Sequence, residues 1–488
     1  MMREEDAEQT CRRRLCSARP DAGEAGPAAG GCPDERLDEP AGAAPPPGLA
    51  SARQPSTSAT TILGGFRRVS AGRRASLMDR YAVAVRCLLL SMRCMILVCK
   101  FGLAFFIGKY LDLASLGIFG LAAGAASFGP IVFGLGLIQV IMRDAVTLSL
   151  ERVVERVLAY WCLVALLYGV ILVAAVLTTV ATGAPWLVVL VCGIVVFEHL
   201  GNDIVQLYSY REQPLWANGN AFIRGGLWIM VYVPVALLFP SFRSLSCVLG
   251  FWLAGSALAF VIFLLATRDW PWRTALSGEL TPAWMKTTIR RSLVIYVSDL
   301  SFAASQQIDR YVVTAFLGLR LAGVYFLYWS AANAVSNLVS VSVLQIERPR
   351  LIKAFHEGVA QHRRLVRSVM RVTVLSSLGF SLIVVCGVLL FLPLMKQQAV
   401  TQYPGALALI MAGIIVRNIA DVGAMGLFTA HRDGITTVTN CAAVLGLLAS
   451  QVILLPVAGL YGAGAAILIA FGAVSIQRHV LLFGGRAP

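Results

Sequence analysis

The chain has 488 residues, of which 58% are hydrophobic and only 14% charged, and it carries a formal net charge of +15. Soluble domains carry about 25% charged residues, so this composition excludes an ordinary water-soluble enzyme. Nucleic acid is not the partner the charge points to. Residues 1–80 are nearly neutral and leave a surplus of about +14 to the apolar remainder, where no basic stretch interleaves with exposed aromatics in a soluble module.

The first 80 residues are rich in Ala, Gly, Pro, Arg and acidic side chains, and they lack periodic apolar positions. Such a segment buries too little surface to offset chain entropy and reads as a disordered cytoplasmic tail. Its acidic residues dominate before Pro40; Arg53, Arg67, Arg68, Arg73, Arg74 and Arg80 follow as a basic collar suited to anionic lipid. No cleavable signal opens the chain, so the first spanning helix is expected to be an uncleaved anchor.

A helix needs about 20 apolar residues to cross a bilayer. That ruler predicts twelve: 84–108, 115–141, 157–181, 186–208, 217–239, 246–267, 292–316, 322–346, 368–391, 406–428, 434–457 and 460–483. The expected organisation is a tail over 1–80, a six-helix bundle over 81–267, a cytoplasmic linker over 268–291 and a second six-helix bundle over 292–488. Sixteen basic residues, from Arg143 to Arg432, fall in the loops at one end, against Lys109, Arg243, Arg320 and Lys396 at the other. The positive-inside rule then puts both termini in the cytoplasm. The eleven cysteines are scattered without a CxxC pair and read as small buried residues or reduced thiols, not as metal ligands.

Sliding the chain on itself by 206 residues sets YLDLASLGIF, from Tyr110, against FLGLRLAGVY, from Phe316. Leu111 meets Leu317, Leu113 meets Leu319, Gly117 meets Gly323 and Gln139 meets Gln345. An offset of six helices preserves orientation, so the repeat is parallel. Two such bundles enclose a cavity at the midplane, the architecture of a rocking transporter.

DRYVVTAFLGLRLAGVYFLYWSAANAVSNL from Asp309, followed by ERPRL from Glu347, resembles the seventh and eighth helices of bacterial polysaccharide-type flippases. YLDLASLGIFGLAAG from Tyr110 and GLYGAGAAILIAF from Gly459 are similar to that family's second and last helices. The family lies in the multidrug, oligosaccharidyl-lipid and polysaccharide exporter superfamily, and the resemblance extends over most of residues 81–488. It implies an all-α integral membrane protein of a bacterial inner membrane that moves a lipid-linked oligosaccharide between leaflets by alternating access. Its motifs are Gly-spaced and apolar, so they specify fold better than substrate.

Arg86, Arg93 and Lys100 lie seven apart in the first predicted helix, on one narrow face. A cation at the bilayer centre costs about 2.5 to 3.5 kcal/mol on insertion scales, so the stripe is expected to face water or an anion. Its reading is a cationic rail for the pyrophosphate of a lipid carrier or for acidic sugars; snorkelling of Arg86 and Lys100 to the headgroups is the plainer alternative. Arg224, in the fifth helix, has no obvious local partner and is a second candidate for anion contact. Glu198, His199 and Asp203 in the fourth helix and Asp299 in the seventh are candidates for coupling to H+ or Na+. Asp309 and Arg310 are expected near the outer end, in an ion pair with another helix or in coupling. Arg417 and Asp421, one turn apart, are expected to pair with each other. Asn333 and Asn337 suit sugar hydroxyls or interhelical bonds.

No HExxH, GxSxG or phosphate-cradling GxxxxGK[ST] occurs in the chain. The reading is therefore a transporter, expected as a monomer without cofactor. Its rivals are a multidrug and toxin extrusion antiporter, whose cationic cargo a cavity of like charge would repel, a membrane glycosyltransferase or polymerase, and a non-transporting scaffold.

Overall fold

The computed structural model describes residues 60–488 except 146, 181–184, 277–281, 392–394, 396 and 485–488. Every membrane span lies in one compact unit, Arg73–Pro488. Residues 1–59 of the expected tail lie outside the described residues, as does Lys396. Residues 60–80 are not irregular as expected: helix α1 runs Thr60–Tyr110. This stretch has Leu, Met, Ala and Arg and no proline, so extending a helix already nucleated in the span costs little.

The remaining elements are α2 (Leu113–Gly134), α3 (Leu137–Ala145), α4 (Leu150–Val180), α5 (Pro185–Tyr210), α6 (Pro214–Phe222), α7 (Trp228–Leu238), α8 (Leu245–Ala266) and α9 (Trp272–Leu276). They continue as α10 (Pro282–Val339), α11 (Gln345–Glu357), α12 (Val359–Phe391), α13 (Gln398–Thr401), α14 (Pro404–Thr429) and α15 (Asp433–Phe483). One-turn π-helices join α6 to α7 at Ile223–Leu227 and α10 to α11 at Ser340–Leu344. No strand occurs among the described residues.

Ten helices among the described residues are long and apolar enough to cross a membrane. Two of them are double. In α10 the backbone breaks at Gly318 (φ 77°, ψ 171°), and in α15 at Gly459 (φ 55°, ψ −132°), conformations that side-chain-bearing residues rarely adopt. Each break separates two predicted helices, 292–316 from 322–346 and 434–457 from 460–483, so the count is twelve. Leu166, Val170 and Leu177 on α4, and Leu375, Leu382 and Leu390 on α12, remain exposed, as side chains facing lipid do. Cys87, Cys162 and Cys386 are free and exposed, so of the two expectations for the cysteines burial does not hold for these three: on a lipid-facing surface a thiol is as comfortable as in a core.

The repeat is visible in the packing. α2 lies against α10, and they cross where a Cβ on Gly117 would overlap the Leu319 carbonyl and one on Gly323 the Leu113 carbonyl. These two contacts exchange under the 206-residue shift, so a twofold-like axis runs between the glycines. Two backbones touch there because neither helix carries a side chain at the crossing. The crossing lies at the end of the spans opposite the arginine-rich loops. Beyond it the two helices diverge toward the basic end, and a cavity fills the space between them.

Gly323→Val is expected to force this crossing apart at a cost of about 1 to 3 kcal/mol, the scale of overpacking. It should show as a lowered Tm of the detergent-solubilised protein. Gly379→Ala, where an added Cβ meets nothing within 4 Å, should leave Tm unchanged, and equal effects at the two positions would remove the crossing from the account.

Candidate functional site

The central cavity has a volume of about 710 Å³ and is lined from both halves. Among the described residues four basic side chains border it, Arg93, Lys100, Arg224 and Arg310, against a single carboxylate, Glu198. Of the expected rail, Arg93 and Lys100 both face this space; the Arg86 side chain lies outside the described residues.

Arg224 is not without a partner, as its neighbours in sequence had implied. The π-turn that holds it widens the helix by one residue and aims the guanidinium across at α5. There Nη1 donates to Glu198 Oε2 at 2.5 Å and to the Glu198 carbonyl at 2.9 Å, and Nη2 donates to Asn202 Oδ1 at 2.9 Å. Glu198 Oε1 accepts from Trp252 Nε1 at 3.0 Å and Ser256 Oγ at 2.9 Å. Both members of the pair are largely buried, with side chains 8% and 16% exposed. Every Glu198 oxygen is thereby engaged, and the carboxylate anchors Arg224 instead of offering itself to a ligand. Lys100 lies within electrostatic reach of Glu198, Arg224 and Arg310, and Arg93 stands at the basic-end mouth, where Nε donates to Asn218 Oδ1 at 3.0 Å and Nη1 to Gln345 Oε1 at 3.2 Å.

Arg310 corrects its expectation. No carboxylate of another helix pairs with it among the described residues; its guanidinium lies 3.8 Å from the Trp329 ring centroid and 5.1 Å from that of Phe326, and donates to the Gly120 carbonyl. Asp309 points the other way, accepting from Tyr325 Oη and from the Arg310 backbone amide. Gln307 and Arg310, one turn apart on α10, both line the cavity, and this polar pair at helical spacing is the signal that puts Arg310 on the cavity side.

The walls between the charges are aromatic, which sequence reasoning missed. Trp228 and Trp252 stack at 6.0 Å with 6° between planes, Phe119 meets Trp252 at 5.6 Å and Phe326 at 5.8 Å, and Trp329 carries Arg310. These rings come from four helices, so no single window of sequence displays them together. Asn333 and Asn337 do line the cavity, and Asn337 Nδ2 donates to the Asn333 carbonyl at 2.9 Å.

The fourth-helix group divides. Glu198 turns to the cavity, whereas His199 and Asp203 enter the core of the first half. His199 is held by Tyr160 Oη at 2.7 Å on Nε2 and Tyr168 Oη at 3.0 Å on Nδ1, and Asp203 accepts from Trp161 Nε1 at 3.1 Å. Asp203 and Asp299 line a second, smaller cavity of about 340 Å³, with Gln139, Asn202, Gln206 and Tyr296. Gln139 Nε2 donates to Asp299 Oδ2 across the halves. Arg417 and Asp421 do not pair: no ion pair joins them among the described residues, and Arg417, buried, faces the Phe471 ring at 5.4 Å. Its rotamer follows the apolar core between α14 and α15, and the pair one turn apart is left unmade. No cluster of three or more His, Cys, Asp or Glu placed to hold a metal occurs among the described residues.

No family model and no curated protein sequence matches the chain. Among solved structures, an inward-facing multidrug resistance MATE family transporter of the MOP superfamily superposes with a TM-score of 0.61 at 16% identity, covering 78% of this chain and 93% of that one. The lipid II flippase MurJ in an inward closed conformation gives 0.61 at 12% identity, covering 82% and 88%. The chain has their fold. A MATE in complex with MaL6 is more distant, at 0.51 and 15% identity over 80% and 93%. The architecture is thus all-helical and membrane-embedded, with two six-helix bundles around a central cavity, as the repeat implies.

Glu198→Ala strips Arg224 of its buried carboxylate and is expected to cost about 3 kcal/mol. The double variant Glu198→Ala/Arg224→Ala should recover part of that loss in unfolding of the purified protein; simple additivity would mean that the two groups do not act as a pair.

Proposed function

We propose that this chain is a flippase that carries an anionic lipid-linked glycan from the cytoplasmic to the outer leaflet of a bacterial inner membrane by alternating access. One observation carries the reading: a membrane-embedded cavity with four cations against one carboxylate, and that carboxylate already consumed by Arg224, Trp252 and Ser256. Arg310, buried and in no ion pair among the described residues, is costly to keep charged at low dielectric unless an anion meets it, and Lys100, exposed to the cavity, adds a second positive charge beside it. A diphosphate meets it with paired oxygens, while the Trp228–Trp252 stack, Phe119 and Phe326 offer flat apolar faces to sugar rings and Asn333 and Asn337 offer amides to their hydroxyls.

The basic end faces the cytoplasm in this reading, with both termini there and the mouth at Arg93 receiving substrate. The protein acts as a monomer without cofactor or catalytic step, and H+ or Na+ is read at Asp203 and Asp299. The division into 81–267 and 292–488 follows the repeat that Gly117 and Gly323 mark.

The rival is an ion-coupled antiporter of cationic drugs, favoured by likeness to the MATE structures and opposed by the charge of the cavity. Purified protein in liposomes is expected to transfer a lipid-linked oligosaccharide diphosphate between leaflets. Lys100→Gln and Arg310→Gln should each reduce the rate by about tenfold or more, the scale of one charge-assisted contact, with Tm little changed. Transport of an organic cation and no transfer of the glycan lipid would establish the rival.

A further inference from the structure

The 206-residue shift that exchanges Gly117 with Gly323 also carries Arg93 onto Asp299 and Gln139 onto Gln345. Those four side chains form two bonds. Arg93 Nη1 donates to Gln345 Oε1 at 3.2 Å, and Gln139 Nε2 donates to Asp299 Oδ2. Each bond therefore joins the first helix of one repeat to the second helix of the other, at equivalent places, and each reaches across the space between the halves at its basic end. A carboxamide is the side chain that suits both: its oxygen accepts from a guanidinium, and its amino group donates to a carboxylate.

We infer that the two bonds are a repeat-related pair of clasps spanning the basic-end mouth, built on the same glutamine but on partners of opposite charge. The glycine crossing holds the halves together at the far end, so separation at the basic end has to stretch these bonds. Tyr296 Oη, which donates to the Val132 carbonyl at 3.1 Å, flanks the Asp299 clasp; Asn218 Oδ1, at 3.0 Å from Arg93 Nε, flanks the other within its own half.

The signs differ, and so do the ligands that open them. Arg93 is held by two neutral carboxamide oxygens, which a phosphate-bearing anion outcompetes because a charged acceptor binds a guanidinium more strongly. The Asp299 clasp is indifferent to anions. Arrival of an anion at the mouth of the central cavity thus releases one clasp of the pair, and Arg93 passes from lock to ligand contact. The inference uses the transport reading only for which face of the membrane the mouth opens to; it does not depend on the molecule carried.

The same isosteric change has opposite consequences at the two positions. Gln345→Glu gives Arg93 a carboxylate and tightens its clasp; Gln139→Glu sets a second carboxylate against Asp299 and loosens the other. With a Ser330→Cys reporter in the cavity wall, labelling of inside-out vesicles by an impermeant maleimide, in excess of the protein without the reporter, measures opening. At about pH 8, above the ordinary carboxylate range, Gln345→Glu is expected to lower the labelling rate and Gln139→Glu to raise it, each by about tenfold. Changes in the same direction, or none, overturn the clasps. Labelling confined to right-side-out vesicles, with the opposite shifts retained, overturns the proposed orientation instead. Inorganic pyrophosphate, or vesicles enriched in phosphatidylglycerol, should raise labelling of the parent and not of Gln345→Glu. A response to the first alone assigns the trigger to a diphosphate and to the second alone to a lipid headgroup; a response to neither overturns release by an anion.

Discussion

The contact on which the rest of the structure depends is the meeting of two backbones at Gly117 and Gly323. Helices in lipid gain little from burying apolar side chains against one another, because the acyl chains are equally apolar; close backbone approach and its dispersion contacts take over that role. With α2 and α10 pinned at one end, their divergence toward the other is a matter of geometry. The cavity, its lining and its mouth follow from that one crossing, and the twofold relation between the halves is written in its reciprocal contacts with Leu319 and Leu113.

Charge is then arranged in two ways within the cavity. Arg224 is neutralised by Glu198 and locked by Asn202, and the carboxylate is itself locked by Trp252 and Ser256. Arg224 Nε alone among the side-chain polar atoms of the pair has no hydrogen-bond partner, and the bonds made by the rest fix one wall of the site. Arg310 forms no ion pair among the described residues; it is supported by ring faces and one carbonyl. Aromatic contact keeps the guanidinium in place without cancelling its charge. The first arrangement makes a rigid wall, and the second leaves a positive potential for a ligand to meet.

What the sequence makes legible here is local or periodic. Twelve spans follow from hydropathy because a helix must be about as long as the bilayer is thick, and the breaks at Gly318 and Gly459 fall between predicted helices because glycine alone relaxes there. Gln139 and Gln345 align in the repeat, and Arg93 and Lys100 share a face that a single helix wheel displays. The partners of these groups are not legible, since Glu198 and Arg224 lie 26 residues apart on different helices and the glutamines bond across the two halves. Spacing of i, i+4 permits a contact, as Asn337 makes with the Asn333 carbonyl, but does not decide it. Arg417 and Asp421 have the spacing yet do not meet, because burial of Arg417 against Phe471 decides its direction first. The stretch 60–80 failed for a related reason: composition speaks of an isolated segment, whereas a helix already formed beside it removes the cost of nucleation.

A parallel repeat would by symmetry give two identical clefts, one between the first helix of the first half and the second helix of the other, and its twin. The backbone respects that symmetry at the crossing, but the chemistry departs from it. One cleft carries Arg93 and opens on a cavity with three further cations; its twin carries Asp299 and opens on a pocket with a second carboxylate, Asp203. Asn202 borders both spaces and holds Arg224. A fold with one kind of cleft responds to one kind of ion, whereas unlike clefts about a common pivot let an anion and a cation act on the same motion. On the proposed reading, coupling between them needs no long pathway, because both clefts border the single separation that the glycine crossing permits.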